Sequence, residues 1–310
     1  MLDFLRVATR QLKKGVLEIY PKFIYCPSSD LMVRGGDFYA IWDEKKNLWS
    51  TDENVAVRLI DAELEHYANE HKNDYSDFYV QVMYMWDTDS GSIDKWHKFV
   101  QKQRRDDFHP LDEELTFANT EVTKESYVSR RLPYSYELAP TPAWDEIVGT
   151  LYSPEERMKL EWAIGAIVTG ESKNLQKFIV MYGAPKTGKS TILNILQRLF
   201  EGYWCAFDAK TLGNANASFA LEAFRNNPLV GIQHDGDLSR IEDNTRLNSL
   251  VSHEVMTVNE KFKASYPAKF NTFLFMGTNK PVKITDAKSG IIRRLIDVSP
   301  SGQRIPSDRY

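Results

Sequence analysis

At 310 residues, with 42% hydrophobic and 26% charged side chains, the chain can hold two domains with full-sized cores and has the balance of a globular protein. A net charge of −4 excludes a global basic field, so a nucleic acid would have to be met through a local patch or through assembly. The two cysteines, Cys26 and Cys205, stand far apart without paired Cys or His spacing, which argues against a zinc site or a disulfide framework and fits a reducing cytosol.

Met1–Lys14 lacks the continuous apolar core and cleavage site of a signal peptide. No run approaches the roughly twenty apolar residues of a membrane span, so no membrane partner is expected. Residues 1–20 can form a short amphipathic helix, with a strand at Lys22–Tyr25 and a turn at Pro27–Asp30. Asp37–Trp42, the polar stretch Asp43–Asn47 and Leu48-Trp49 read as a hairpin, because aromatic and β-branched residues flank a charged connection. Val55–Glu70 and Ile93–Arg105 have helical periodicity, and the apolar, aromatic Asp77–Trp86 lies between them. Asp87 and Asp89 have a spacing that can hold a divalent metal, but Ser90-Gly91-Ser92 follows and no third ligand stands nearby, so a turn is expected. His66, His71, His97 and His109 show no ligand spacing.

Leu132-Pro133, Ala139–Pro142, Tyr134, Tyr136 and Trp144 mark an extended connector, since each proline biases its predecessor away from helix. A domain boundary is expected near residue 140, separating a mixed α+β domain (1–140) from a second domain (141–310). Ser153, Pro154, Glu155 and Glu156 then open a helix that stops near Gly170: a capping hydroxyl, a proline in the first turn, and acids at the positive dipole end.

The apolar run Phe178–Tyr182 breaks into Gly183-Ala184-Pro185-Lys186-Thr187-Gly188-Lys189-Ser190-Thr191, and a helix follows with apolar residues at 192, 193, 195, 196 and 199. Strand, glycine-bounded loop and helix in this order, with G-x-x-x-x-G-K-S spacing, form a phosphate loop: backbone N–H groups curl round a polyphosphate at the helix N-terminus. Lys189 would reach the β and γ phosphates of ATP, and Ser190 would ligate Mg²⁺. Such a loop requires a carboxylate on a neighbouring strand. Pro228–Asp237 supplies an apolar run ending in Asp235 and Asp237; Asp235, nearer the strand end, is preferred as main acid and metal ligand, with Asp237 as alternative or second acid. Asn271–Asn279 is a further apolar strand, and Asn279 at its end could orient the attacking water or sense the γ-phosphate. Between them, Val255–Lys263 alternates like a hairpin and ends in Lys261-Phe262-Lys263, two cations and a stacking ring. Arg293 and Arg294 precede another β-prone run and offer planar donor forks for phosphoryl charge.

Gly183–Ser190, Asp235/Asp237, Lys261–Lys263, Phe275-Met-Gly-Thr-Asn279 and Gly290-Ile-Ile-Arg-Arg294, in that order, resemble the superfamily three helicases of the AAA+ class. Within that class the chain is similar to the phage and plasmid primase-helicase branch related to the poxvirus replicative enzyme. The resemblance implies an α/β fold with an AAA+ type parallel sheet flanked by helices, a smaller mixed α+β domain before it, and a homo-oligomer, a hexameric ring that hydrolyses ATP with Mg²⁺ at subunit interfaces and moves along single-stranded DNA. It implies catalytic or sensing roles for Lys189, Asp235, Asp237 and Asn279, DNA contact by Lys261, Phe262 and Lys263, and an arginine finger at Arg293 or Arg294. It also implies work in phage or mobile-element replication in a bacterial cytoplasm, beside a primase domain or other replication proteins, with a DNA-binding or oligomerisation role for the first domain. Gly236 separates the two acids, whereas the family sets acids side by side. Gln303–Tyr310 reads as mid-domain sequence, so the ATPase domain is expected to be cut short. The alternative reading is an ATP-binding oligomeric initiator that grips DNA without unwinding it.

Overall fold

The computed structural model describes residues 2–13, 15–25, 30–35, 38–102, 109–214, 216–237, 243–259, 261, 265–280 and 290–306. They form two compact units: Met1–Leu111 with Glu121–Arg130, and Asp112–Thr120 with Arg131–Tyr310. The boundary expected near 140 falls inside the second unit.

The first unit contains, in chain order, β1 (Leu5–Gln11), β2 (Val16–Phe23), β3 (Leu31–Gly35), β4 (Phe38–Asp43), β5 (Leu48–Ser50), α1 (Glu53–Glu70), β6 (Tyr79–Val82) and α2 (Ser92–Lys102). The helix expected over residues 1–20 is instead the antiparallel pair β1 and β2. Gly15 at φ +73° lets the chain turn back, and the alternation that buries Leu17 and Ile19 on one side of β2 has the period of a strand. The expected strand Lys22–Tyr25 is the end of β2 and the residues after it. β6 joins β2 in parallel, giving the order β1-β2-β6, while β3, β4 and β5 form a separate antiparallel sheet. The hairpin expected at 37–49 is β4, a turn at 44–47, and β5.

Asp52 caps α1 by accepting from the Asn54 N–H at 2.9 Å. Asp87 accepts from the Asp89 N–H at 3.0 Å, so this carboxylate closes a local turn. Residues 103–105 of the expected second helix lie outside the described residues. Trp96 of α2 centres the core, with the rings of Phe4, Phe23 and Tyr39 at 5.6, 5.1 and 5.2 Å.

The second unit contains α3 (Pro142–Leu151), α4 (Pro154–Val168), β7 (Phe178–Tyr182), α5 (Lys189–Leu199), β8 (Trp204–Ala206), α6 (Ala209–Leu212), β9 (Val230–Gln233), α7 (Thr245–Val251), β10 (Val255–Val258), β11 (Tyr266–Lys269), β12 (Phe273–Thr278) and β13 (Leu295–Val298). Part of the expected extended connector is helical: Pro142 opens α3, where the first turn needs no N–H, and Trp144 lies within it. Ser153 caps α4 by accepting from the Glu156 N–H, and Gly170, at φ +74°, lies just beyond its end.

Five strands form a wholly parallel sheet in the order β13-β7-β12-β9-β8. Its strands β7 and β12 are buried at every position but Tyr182 because both faces are covered. Ile179, Met181, Phe273 and Phe275 face a core shared with α3, α4 and α5. Phe178, Val180, Leu274 and Met276 face a second core with α7, Phe207 and Phe224. The acid-bearing strand β9 is not beside β7, as the sequence suggested; β12 lies between them. Apolar pattern identifies a buried parallel strand but carries no signal of its rank across the sheet.

Candidate functional site

The loop from β7 to α5 leaves the C-terminal edge of the parallel sheet, where ligands of open α/β sheets bind. Two of its residues take left-handed backbone, Lys186 at φ +65° and Gly188 at φ +87°. A side chain at Gly188 would also meet Leu151 Cδ1 at 2.5 Å, so close packing of α3 requires glycine there. Gly183 lies under Pro300 and Thr187, and its N–H donates to the Thr278 carbonyl at 3.3 Å, fastening the loop to β12.

Lys189 begins α5 and is buried. Its Nζ donates to the Gly183 and Ala184 carbonyls, both at 2.8 Å, and approaches Thr187 Oγ1 at 3.5 Å; Thr187 Oγ1 in turn donates to the Ala184 carbonyl at 2.8 Å. Burial pushes the Lys189 ammonium below its ordinary value, and the negative charge of Asp235 works against that shift. A desolvated cation at a helix N-terminus, beneath the exposed residues Ala184, Pro185 and Lys186, fits a polyphosphate. Ser190 is exposed in the first turn of α5, with Thr191 beside it.

The two acids after β9 have different surroundings. Asp235 is exposed, and its charge is felt at Lys189. Asp237 is half-buried and paired with Lys280 at 2.8 Å. Asn279 is exposed just past the end of β12, the strand between the loop and the acids. The sheet therefore brings Gly183–Thr191, Asp235 and Asn279 to one edge.

Glycine spacing makes this edge tight. The Gly236 N–H donates to the Gly277 carbonyl at 2.8 Å, and a Cβ at Gly277 would come within 2.6 Å of the His234 carbonyl oxygen. Gly277 was legible as part of a motif, but its steric role was not, because the neighbour it must clear is on another strand. Gln197 of α5 also reaches the His234 ring at 3.0 Å, a link without a sequence signal.

The paired arginines diverge. Arg294 is buried: Nε and Nη2 donate to Ser252 Oγ at 3.0 and 2.7 Å, and Nη1 donates to the Gly290 carbonyl at 2.9 Å. Burial and then neighbouring Arg293 push its guanidinium below the ordinary value. Arg293 is exposed. The hairpin expected from Val255 is formed by β10 and β11, antiparallel, although β10 ends at Val258. Lys261 is exposed in the connection between the two strands, with Nζ 6.0 Å from the Phe219 ring centroid. Phe262 and Lys263 lie outside the described residues.

Residues 181–294 match the model of DUF5906, a family of unknown function. No curated protein matches the chain. Among solved structures, the apo structure of the NrS-1 C terminal region (305–718) aligns at 14% identity with a TM-score of 0.43, covering 63% of this chain and 42% of that one. Two A-form apo structures of the same region align at 15% identity, with TM-scores of 0.41 and 0.42, covering 53% and 62% of this chain and 38% and 41% of theirs. The chain thus spans less than half the length of these structures. At these scores the likeness assigns the chain no activity.

Proposed function

We propose that the chain is an ATP-hydrolysing motor of the AAA+, superfamily three type that acts on single-stranded DNA during replication of a phage or other mobile element. The observation that carries this reading is Lys189: buried at the start of α5, below an exposed glycine-bounded loop, and under the charge of Asp235 from a strand two places away in the sheet. A glycine turn that merely joined strand to helix would give no reason to bury an ammonium there.

In this reading the loop N–H groups and Lys189 hold the phosphates of ATP, with Lys189 exchanging the Gly183 and Ala184 carbonyls for phosphate oxygens. Ser190 and Asp235 would hold Mg²⁺, which supplies charge neutralisation at the transferring phosphoryl group. Asp235 polarises the attacking water and Asn279 orients it. Exposed Arg293 is the guanidinium free to reach the ATP of a neighbouring subunit in a ring, since Arg294 is committed to Ser252. Lys261, with Phe262 and Lys263, contacts the DNA strand.

The test is ATPase activity across protein concentration, with and without single-stranded DNA. A motor with interface sites gains specific activity with concentration and with DNA, and loses it in Lys189→Ala. Replacing Lys261 and Lys263 by alanine removes the stimulation by DNA. ATP binding without hydrolysis or strand separation would instead favour the initiator reading. No ATP binding in the parent protein would overturn both.

A further inference from the structure

We infer that the open face of the β1-β2-β6 sheet in the first unit is a binding surface for single-stranded DNA, separate from the β10–β11 hairpin and independent of nucleotide. Directly paired residues of neighbouring strands project to the same face of a sheet. The register pairs Arg6 with Lys22, Ala8 with Tyr20, and Arg10 with Glu18, and across the next ladder Glu18 with Gln81 and Val16 with Tyr79. Of the intervening positions, Leu5, Leu17 and Ile19 are buried and Val7 is half-buried, whereas Thr9 and Gln11, toward the end of β1, are exposed. Every cation on the three strands therefore lies on the outer face, whereas the one carboxylate there, Glu18, is buried and held by Arg10 Nε at 3.0 Å.

Three features of that face suit a strand of phosphates and bases. Arg6 and Lys22 are exposed like charges directly opposite one another, an arrangement that costs stability and that a bound polyanion relieves. Arg10, about 13 Å from Arg6 along β1, is paired with Glu18 yet keeps an exposed guanidinium edge, so the face offers a track rather than a point. Rings lie beside the charges: Tyr20 has Arg10 Cζ at 6.0 Å and Lys95 Nζ at 5.7 Å from its centroid, and Tyr79 is 74% exposed on edge strand β6. Cations that track a backbone beside rings on which bases stack are what single-strand binders use. A duplex or an acidic peptide would engage the charges and leave Tyr79 without a role. These charges and rings suit a single strand whether or not the chain is a motor; only the choice of DNA over RNA rests on that proposed function.

The test measures the anisotropy of a labelled oligothymidylate with the full chain in the absence of nucleotide. Arg6→Gln with Lys22→Gln should weaken binding by about tenfold and lower the salt slope by about 1.4, from roughly 0.7 per phosphate contact. The same variant should melt at or above the parent temperature, because a like-charge pair is gone; this separates lost contact from lost fold. Tyr79→Ala should weaken binding by about tenfold, as removal of one stacked base does. Parent affinity in the charge variant would overturn the assignment. So would a Tyr79→Ala protein that binds normally, which would mark a general polyanion surface, or preference for oligouridylate or duplex over oligothymidylate. ATPase is measured separately: its absence in the parent sinks the motor and leaves this binding test intact.

Discussion

Arg294 and Ser252 form a fork: Nε and Nη2 of the arginine both donate to the serine Oγ, at 3.0 and 2.7 Å. The contact ties the entrance of β13 to the residue after α7, while Arg293 next to it stays exposed. Arg294→Ala should therefore destabilise the second unit by about 1–3 kcal/mol, the cost of losing a buried guanidinium's hydrogen bonds to half-buried Ser252 and Gly290. Arg293→Ala should change stability by no more than about 0.5 kcal/mol and still lose ATPase activity. Denaturant melts and ATPase assays of the two variants separate them; equal melting losses would contradict the division of labour.

Asp235 and Asp237 divide in the same way. Asp237 pairs with Lys280, whereas Asp235 acts on Lys189. Asp235→Asn should reduce hydrolysis by at least about 100-fold, the scale of a lost general base, while retaining ATP binding. Asp237→Asn breaks a partly exposed ion pair worth at most about 1 kcal/mol and should leave most of the rate. A larger rate loss in Asp237→Asn than in Asp235→Asn would reverse the roles.

Gly277 lets β12 approach the end of β9 so closely that the Gly236 N–H meets its carbonyl at 2.8 Å. In Gly277→Ala the new methyl would press on the His234 carbonyl, one residue before Asp235. Overpacking of this kind costs about 1–3 kcal/mol, and the relief available is movement of the acid strand. Hydrolysis should fall more than ATP affinity, because Gly183–Thr191, the proposed phosphate loop, follows β7 rather than β9 or β12. Parent-like turnover in this variant would show that the acid tolerates displacement.

Asp208 caps α6 and accepts from the Lys210 N–H, Thr211 Oγ1 and Gln233 Nε2 at 3.1, 2.8 and 3.0 Å. Burial raises its carboxyl, but these hydrogen bonds outweigh it and hold the group below its ordinary value. A folded-state value below the unfolded one adds stability that is complete above the unfolded value and is lost as pH falls through the folded one. Asp208→Asn, which cannot ionise, should flatten that acid limb. Melting temperatures from neutral pH down to the carboxylate range measure it, and an unchanged acid slope would remove Asp208 from the account.

The chain's own order of residues determined the local pieces of the site. Glycine-lysine-serine spacing after an apolar run is enough to identify strand, loop and helix at 178–199, because each requirement is met within a few residues. The same holds for the Ser153 cap and the β4–β5 hairpin. Residues 1–20 misled, because a chain of mixed apolar and charged residues satisfies a helical pattern loosely and only pairing with a second strand decides otherwise. Trp144 was hidden by the prolines around it, which permit a helix start as readily as they forbid a helix interior.

Tertiary structure alone decided what depends on long-range neighbours. It set β12 between the loop strand and the acid strand, engaged Asp237 with Lys280, and engaged Arg294 with Ser252. It also made three cations scattered over β1 and β2 into one face. Spacing along a chain specifies what a residue can do within a turn or two. Which carboxylate, which arginine and which face remain available is determined by hydrogen bonds and packing between residues far apart in sequence, and only the folded chain brings those together.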